Sequence, residues 1–87
     1  MADIQVKAGT VAGGRIDHLR VGFDGLPDRT VDRDTVLKWM ADGHSLIPLV
    51  AGRRLTALQR VEVDDHHVIR TDNQPVDEDQ LPAIPAG

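Results

Sequence analysis

Cysteine is absent from the 87-residue sequence, and aromatic residues make up only 2 % of it. The absence of cysteine excludes disulfides, thiolate metal sites and cysteine nucleophiles, and it is typical of proteins from a reducing compartment. Phe23 and Trp39 are the aromatic residues, and there is no tyrosine. Because proteins that stack the bases of single-stranded nucleic acid need exposed rings, this composition argues against that function.

Long apolar runs and an excess of basic residues are also missing. No apolar stretch approaches the roughly 18 residues of a membrane-spanning helix, and the first residues lack the basic and apolar regions of a signal peptide. The net charge is −4, from 14 acidic and 10 basic residues, whereas a nucleic-acid binder needs a dense basic footprint. We therefore predict a cytoplasmic protein without a membrane partner, and the charge disfavours nucleic acid as a partner.

The chain length predicts one domain with a shallow core. We assign residues 1–72 to a single α+β domain. Residues 73–87 contain most of the prolines and several acids, and we predict that they form a tail partly docked on the domain.

The hydrophobic pattern predicts the order β-β-α-β-β-β. Paired glycines, Gly13 and Gly14, supply the positive φ angles of a tight hairpin between the first two strands. In the second strand, alternation places Leu19 and Val21 on the core side and Ile16 on the other side. Strands over residues 46–50, 54–63 and 66–71 follow the helix. Short connections favour antiparallel neighbours, so we expect a curved antiparallel sheet with the helix on one face.

The helix has the clearest local signals in the chain. Asp32 is a strong N-cap residue, and Val31 with Val36 forms a hydrophobic staple around it. Gly43 is a natural left-handed stop. Trp39 lies beside the apolar stripe of this helix, where it either closes the seam between helix and sheet or, if exposed, anchors a partner.

Histidines and acids are the candidate metal ligands. His66 and His67 are consecutive in a strand and point to opposite faces, so a metal site would need one of them to meet His18, Asp64 or Asp65. The acidic pairs of the chain fall in a cap, a turn and the tail, where solvation keeps carboxylates ordinary. We predict no metal, no cofactor and no catalytic residues, and hence no enzyme.

Three arginines define the candidate ligand site. Arg54 and Arg60 share parity along one predicted strand, and Arg70 lies on the next strand. Together they would form a stripe that binds a small anion or a nucleotide. The competing interpretation pairs these arginines with Glu62, Asp64 and the acidic tail.

Residues 67–72 and 79–85, read with the capped helix before them, resemble an uncharacterised bacterial family of small proteins classed as a domain of unknown function. Members end in (Tyr)-Leu/Ile-Arg-Thr, a turn and Asp-Asn-Leu-x-x-Leu-Pro. The similarity covers residues 4–85, with Val68 in place of the aromatic, Gln80 in place of the asparagine and an additional Pro82. The family has no assigned activity.

The resemblance implies a cooperating set of residues near the end of the chain. It implies that Leu81 and Ile84 pack back on the domain and that Arg70 pairs with Asp79, with Thr71 beside them. Where they remain exposed, Leu81 and Ile84 join Trp39 as candidate partner contacts.

We predict a non-catalytic protein-interaction or accessory module. A homodimer formed through an open strand edge is one form of this prediction, because unpaired edges invite pairing. The alternative is a regulator that binds a small anion or a nucleotide through the arginine stripe.

Overall fold

The computed structural model describes residues 2–23 and 25–86. Seven strands and one helix follow one another in these residues. They are β1 (Asp3–Ala12), β2 (Arg15–Gly22), β3 (Arg29–Asp32), α1 (Arg33–Ala41), β4 (Ser45–Val50), β5 (Arg53–Arg54), β6 (Gln59–Val63) and β7 (His66–Arg70). The α+β class predicted from the sequence is confirmed.

The strands form one mixed five-stranded sheet and a separate hairpin. The sheet order is β3-β2-β1-β4-β5, and β6 pairs only with β7. β1 and β4 are parallel, whereas the other neighbours are antiparallel. The expectation of a purely antiparallel sheet in the order β-β-α-β-β-β is therefore wrong. The helix supplies the crossover that parallel strands require.

Two local features account for the remaining differences in strand order. The short β3 lies directly before the helix, where the sequence pattern predicts only a loop and a cap. The single strand predicted over residues 54–63 is divided into β5 and β6. Between them, Leu55 N donates to Pro48 O at 2.9 Å and Leu58 N to Leu46 O at 2.8 Å, so the chain follows the edge of β4 without regular strand geometry.

The β1–β2 hairpin turns at Gly13 and Gly14, whose φ angles of 60° and 76° confirm the predicted tight turn. Farther along the hairpin, Thr10 lies opposite His18 while Val11 lies opposite Ile16, which leaves one extra residue in β2. Such a bulge reverses the alternation of faces. Ile16 is consequently 3 % exposed and belongs to the core, contrary to its predicted side of the strand.

The helix begins and ends as its sequence predicts. Asp32 Oδ1 accepts a hydrogen bond from Thr35 N at 2.9 Å. At the other end, Gly43 N donates to Met40 O at 3.1 Å and His44 N to Trp39 O at 3.0 Å. With Gly43 at a φ of 92°, this pair of bonds forms a Schellman motif.

The core lies between the five-stranded sheet, the helix and the β6–β7 hairpin. Its buried residues are Ile4, Val6, Ile16, Leu19, Val21, Val31, Val36, Leu46, Leu58 and Ile69. Among the described residues, no helix has the length and apolar character needed to cross a membrane.

The segment after β7 packs on this core. Leu81 and Ile84 are half-buried against it, and Gly9 N donates to Pro85 O at 2.9 Å. β4 accompanies β1 only over its first four residues, so the C-terminal segment contacts β1 beyond the point where β4 leaves it.

Candidate functional site

Asp79 is the most enclosed charged side chain near the C-terminus, with 0 % of its side chain exposed. Its Oδ2 accepts from Ile16 N at 2.8 Å and from Arg33 Nε at 2.6 Å. Its Oδ1 accepts from Ile69 N at 3.0 Å and from Arg33 Nη2 at 3.1 Å. One carboxylate therefore joins β2, the first residue of α1, β7 and the C-terminal segment.

These donors fix the charge of the carboxylate. Burial raises the pKa of Asp79, but the hydrogen bonds from Arg33, Ile16 and Ile69 outweigh it and hold the pKa below its ordinary value. The bond to Asp79 in turn raises the pKa of Arg33. Arg33 Nη2 also donates to His67 O at 2.8 Å. Each oxygen of the Asp79 carboxylate accepts two hydrogen bonds from the protein. The carboxylate therefore connects parts of the fold and leaves no coordination site for a substrate.

Arg70 does not pair with Asp79, contrary to the interaction implied by the family resemblance. Its Nε and Nη2 donate to the two carboxylate oxygens of Asp72 at 2.6 and 3.1 Å, and its Nη1 donates to Glu78 O at 2.8 Å. The hydrogen bond to Asp72 raises the pKa of Arg70. Arg33 occupies the place at Asp79 that Arg70 was expected to fill.

The predicted arginine stripe is not assembled. Arg60 lies opposite Ile69 and Arg70 lies opposite Gln59, so the two arginines point to opposite faces of the β6–β7 hairpin. Arg54 belongs to β5, in the other sheet, and its Nη2 contacts Asp3 Oδ2 at 3.2 Å. The premise of a shared strand for Arg54 and Arg60 is wrong because that strand is divided.

The histidines are dispersed over the surface. His66 Nε2 contacts Asp77 Oδ1 at 2.6 Å, and Arg15 Nη2 donates to the same oxygen at 2.6 Å. The hydrogen bond to Asp77 raises the pKa of His66. His18 lies against Asp17 instead, at 2.7 Å. Within residues 2–23 and 25–86, no group of three or more His, Asp or Glu side chains converges as a metal site.

Trp39 closes one end of the seam between helix and sheet. Its ring packs edge-on against Phe23, with centroids 5.8 Å apart and planes at 83°. Both residues are half-buried against the core. This is the first of the two positions that the sequence allowed for Trp39, and it leaves part of the aromatic pair at the surface.

An open depression of about 500 Å³ adjoins this aromatic pair. We call it the Phe23–Arg29 depression after its lining residues, which are Phe23, Leu26, Pro27, Asp28 and Arg29. Leu26 is 64 % exposed, compared with 44 % for Val76 and 38 % for Leu55. The Asp-Gly and Pro content of this segment predicts a loop, and an apolar side chain between Gly25 and Pro27 is the local signal of its exposed apolar surface.

The loop that forms the depression is held in place by its neighbours. Leu26 N donates to Phe23 O at 3.1 Å, and Lys7 Nζ pairs with Asp28 Oδ1 at 2.8 Å. A Cβ atom at Gly22 would come within 2.8 Å of Lys7 Cε, so this glycine makes room for the ion pair.

An unpaired strand edge continues from the depression. β3 is the outermost strand of its sheet, and no backbone hydrogen bond from a described residue reaches its outer side. Arg29, Thr30 and Asp32 are exposed, and Val31 is buried. The outward N–H and C=O groups of β3 remain available to another extended chain.

Leu81 and Ile84, the other predicted partner contacts, are directed into the core of their own chain. Leu81 Cδ1 would lie 3.1 Å from a Cβ atom at Gly9, and Thr71 Oγ1 donates to Gln80 Oε1 at 2.6 Å beside it. The side chains of Leu81 and Ile84 are therefore used largely within the molecule. Comparisons of the chain with protein-family models, with curated proteins and with solved structures found no match.

Proposed function

We propose that the protein is a non-catalytic binding module that holds another polypeptide at the Phe23–Arg29 depression and the adjoining edge of β3. The observation that carries this proposal is the 64 % exposure of Leu26 in a depression of about 500 Å³. Ligand and partner sites are typically concave and lined by apolar side chains with a few polar groups, which is the composition of this depression.

The depression has the components of a binding hot spot. Phe23 supplies rigid aromatic surface, which contributes strongly to protein interfaces, and Leu26 and Pro27 extend it. Trp39 packs edge-on against Phe23 and supports its ring. The Lys7–Asp28 ion pair and the Leu26–Phe23 hydrogen bond restrain Leu26 and Asp28 in the free chain. Because these contacts restrain the two residues before binding, less conformational entropy is lost when a partner binds.

The edge of β3 supplies the second half of the proposed interface. An extended chain that pairs with an open edge gains main-chain hydrogen bonds, and adjacent pockets select its side chains. Here the depression lies at the start of β3, since Arg29 is both a lining residue and the first residue of the strand. The two features thus form one continuous surface.

Site-specific cross-linking tests this function. A photoreactive amino acid at position 26 is compared with one at position 55, because Leu55 is also an exposed leucine but lies beside β5. A protein captured only from position 26 is then purified and its affinity measured. We expect Leu26→Ser to weaken that complex strongly and Leu55→Ser to leave it unchanged.

Two results would contradict the proposal. Cross-links of equal yield and identity from both positions would show that Leu26 is no more than another exposed leucine. A purified complex that tolerates Leu26→Ser would place the interface elsewhere on the molecule.

A further inference from the structure

We infer that the edge of β3 accepts an extended peptide antiparallel to it, with a basic residue opposite Asp32 and an acidic residue opposite Arg29. This inference rests on the proposed function and specifies the chemistry of the partner. The charges of β3 are its basis. The four-residue strand has a cation at its first residue and an anion at its last.

Both charges are available to a partner. Arg29 is exposed, and no described residue forms an ion pair or side-chain hydrogen bond with its guanidinium. Asp32 Oδ1 accepts the helix-capping bond from Thr35 N at 2.9 Å, and hydrogen bonds from the side chain and the backbone of Thr35 lower the pKa of Asp32, which keeps it ionised. Lys7 pairs with the nearby Asp28 at 2.8 Å, so Arg29 is the charged lining residue that has no ion pair with a described residue.

A second copy of β3 does not satisfy this charge pattern. A two-fold axis relates two antiparallel copies of a strand only when one residue lies opposite its own copy. Centring the pair on Arg29 or on Asp32 opposes two like charges. Centring it on Thr30 sets Asp28 opposite Asp32. Centring it on Val31 sets Arg29 opposite Arg33 of the second copy. Asp28 and Arg33 are already paired with Lys7 and Asp79, so the cost is greatest in the first two registers, and none of the four sets Arg29 opposite Asp32.

A different peptide satisfies the pattern with four consecutive residues. Running antiparallel to β3, it carries a basic residue opposite Asp32, an apolar residue opposite Val31, any β-forming residue opposite Thr30 and an acidic residue opposite Arg29. Directly opposite residues share a face of the sheet, so each charge meets its counterpart. Antiparallel pairing is favoured because it is the more stable arrangement for each residue.

The depression adds a fifth determinant. Side chains of an extended peptide alternate between faces, so the residue two places beyond the acid points to the same side as the acid. That side is the one on which Arg29 lines the depression with Leu26. A leucine at this place completes the sequence Lys-Val-Thr-Glu-Thr-Leu, which serves as the probe.

The experiment titrates the full chain with this peptide, capped at both ends, while backbone amide NMR signals are followed. We expect saturable shifts over residues 25–32 and none over β5. Arg29→Glu is expected to weaken binding about tenfold. A peptide with lysine in place of its glutamate should restore the affinity of this variant. Arg53→Glu is the matched control, because Arg53 is an exposed arginine on the opposite edge strand.

The remaining outcomes separate the inference from the proposed function. A peptide in which the lysine and the glutamate exchange places is the comparison. Equal or tighter binding of that peptide, or binding unaffected by Arg29→Glu, would overturn the inferred charge order. A dimer in sedimentation that Arg29→Glu disperses would also overturn it, by making a second copy the occupant. If the peptide fails to bind while a captured partner still depends on Leu26, the inference is wrong and the binding function stands. Failure of both removes the function as well.

Discussion

Arg33 and Asp79 are 46 residues apart in sequence, yet Arg33 Nε lies 2.6 Å from Asp79 Oδ2. The first residue of the helix is thereby attached to the C-terminal segment. The carboxylate is fully buried and the arginine side chain is 21 % exposed. A buried charge of this kind is tolerated only when every donor around it is in place.

Removing the Asp79 carboxylate should therefore destabilise the protein strongly. Asp79→Ala leaves Arg33 and the amides of Ile16 and Ile69 without their acceptor. We expect the free energy of unfolding to fall by about 3–5 kcal/mol, as it does when one partner of a buried pair is deleted. Urea denaturation measures this change. Asp3→Ala removes the exposed pair with Arg54 and should leave the midpoint almost unchanged; equal effects would refute the role of Asp79.

Acid should destabilise the protein through the same residue. The pKa of Asp79 in the folded state lies below the unfolded value of 3.8, so the unfolded chain binds the proton more readily. The contribution of Asp79 is complete well above pH 3.8 and is lost as the pH falls through the lower folded pKa. Unfolding measured from neutral pH to below 3.8 should show this decline, and Asp79→Asn should show a shallower one. Parallel curves would contradict the assignment.

The contribution of His66 to stability should depend on pH in the opposite direction to that of Asp79. Its hydrogen bond to Asp77 raises its pKa above 6.5 in the folded state, so its contribution to stability is complete below pH 6.5 and is lost as the pH rises through the folded pKa. An NMR titration should show the raised pKa, and Asp77→Asn should return it toward 6.5. Asp65→Asn, in the turn beside His66, is the control. If the pKa of His66 is the same with and without Asp77→Asn, the pairing of His66 with Asp77 is excluded.

Two glycines in the hairpin should differ in their tolerance of alanine. A Cβ atom at Gly9 overlaps Leu19 Cδ2 in the core, whereas one at Gly22 meets the flexible end of Lys7. We expect Gly9→Ala to cost about 1–3 kcal/mol, the usual penalty of overpacking, and Gly22→Ala to cost less because Lys7 moves aside. Thermal unfolding of both variants gives the comparison. A larger loss for Gly22→Ala would contradict the packing described around Gly9.

Local signals were sufficient for the hairpin and the helix. Gly13 and Gly14 determine their turn by backbone conformation alone, and Asp32 and Gly43 cap the helix with bonds to residues close in sequence. In each case the partner lies within a few residues, where the pattern of the sequence contains both halves of the interaction.

Contacts between residues far apart in sequence could not be predicted from such local signals. The parallel pairing of β1 with β4 depends on the path of the helix between them. The bulge opposite Thr10 reverses the face of Ile16 without any marker residue. Three tail acids, Asp77, Glu78 and Asp79, are adjacent in sequence, and only the assembled fold decides which of them enters the core and which arginine meets it.

The position of Asp79 also constrains how the protein is made. While a ribosome is still adding residues 71–78, the amides of Ile16 and Ile69 and the guanidinium of Arg33 have been synthesised without the carboxylate that they later share. Burying them at that stage would leave donors unsatisfied. A chain that stops short of Asp79 cannot complete this cluster, so we expect cooperative folding only once that residue is present.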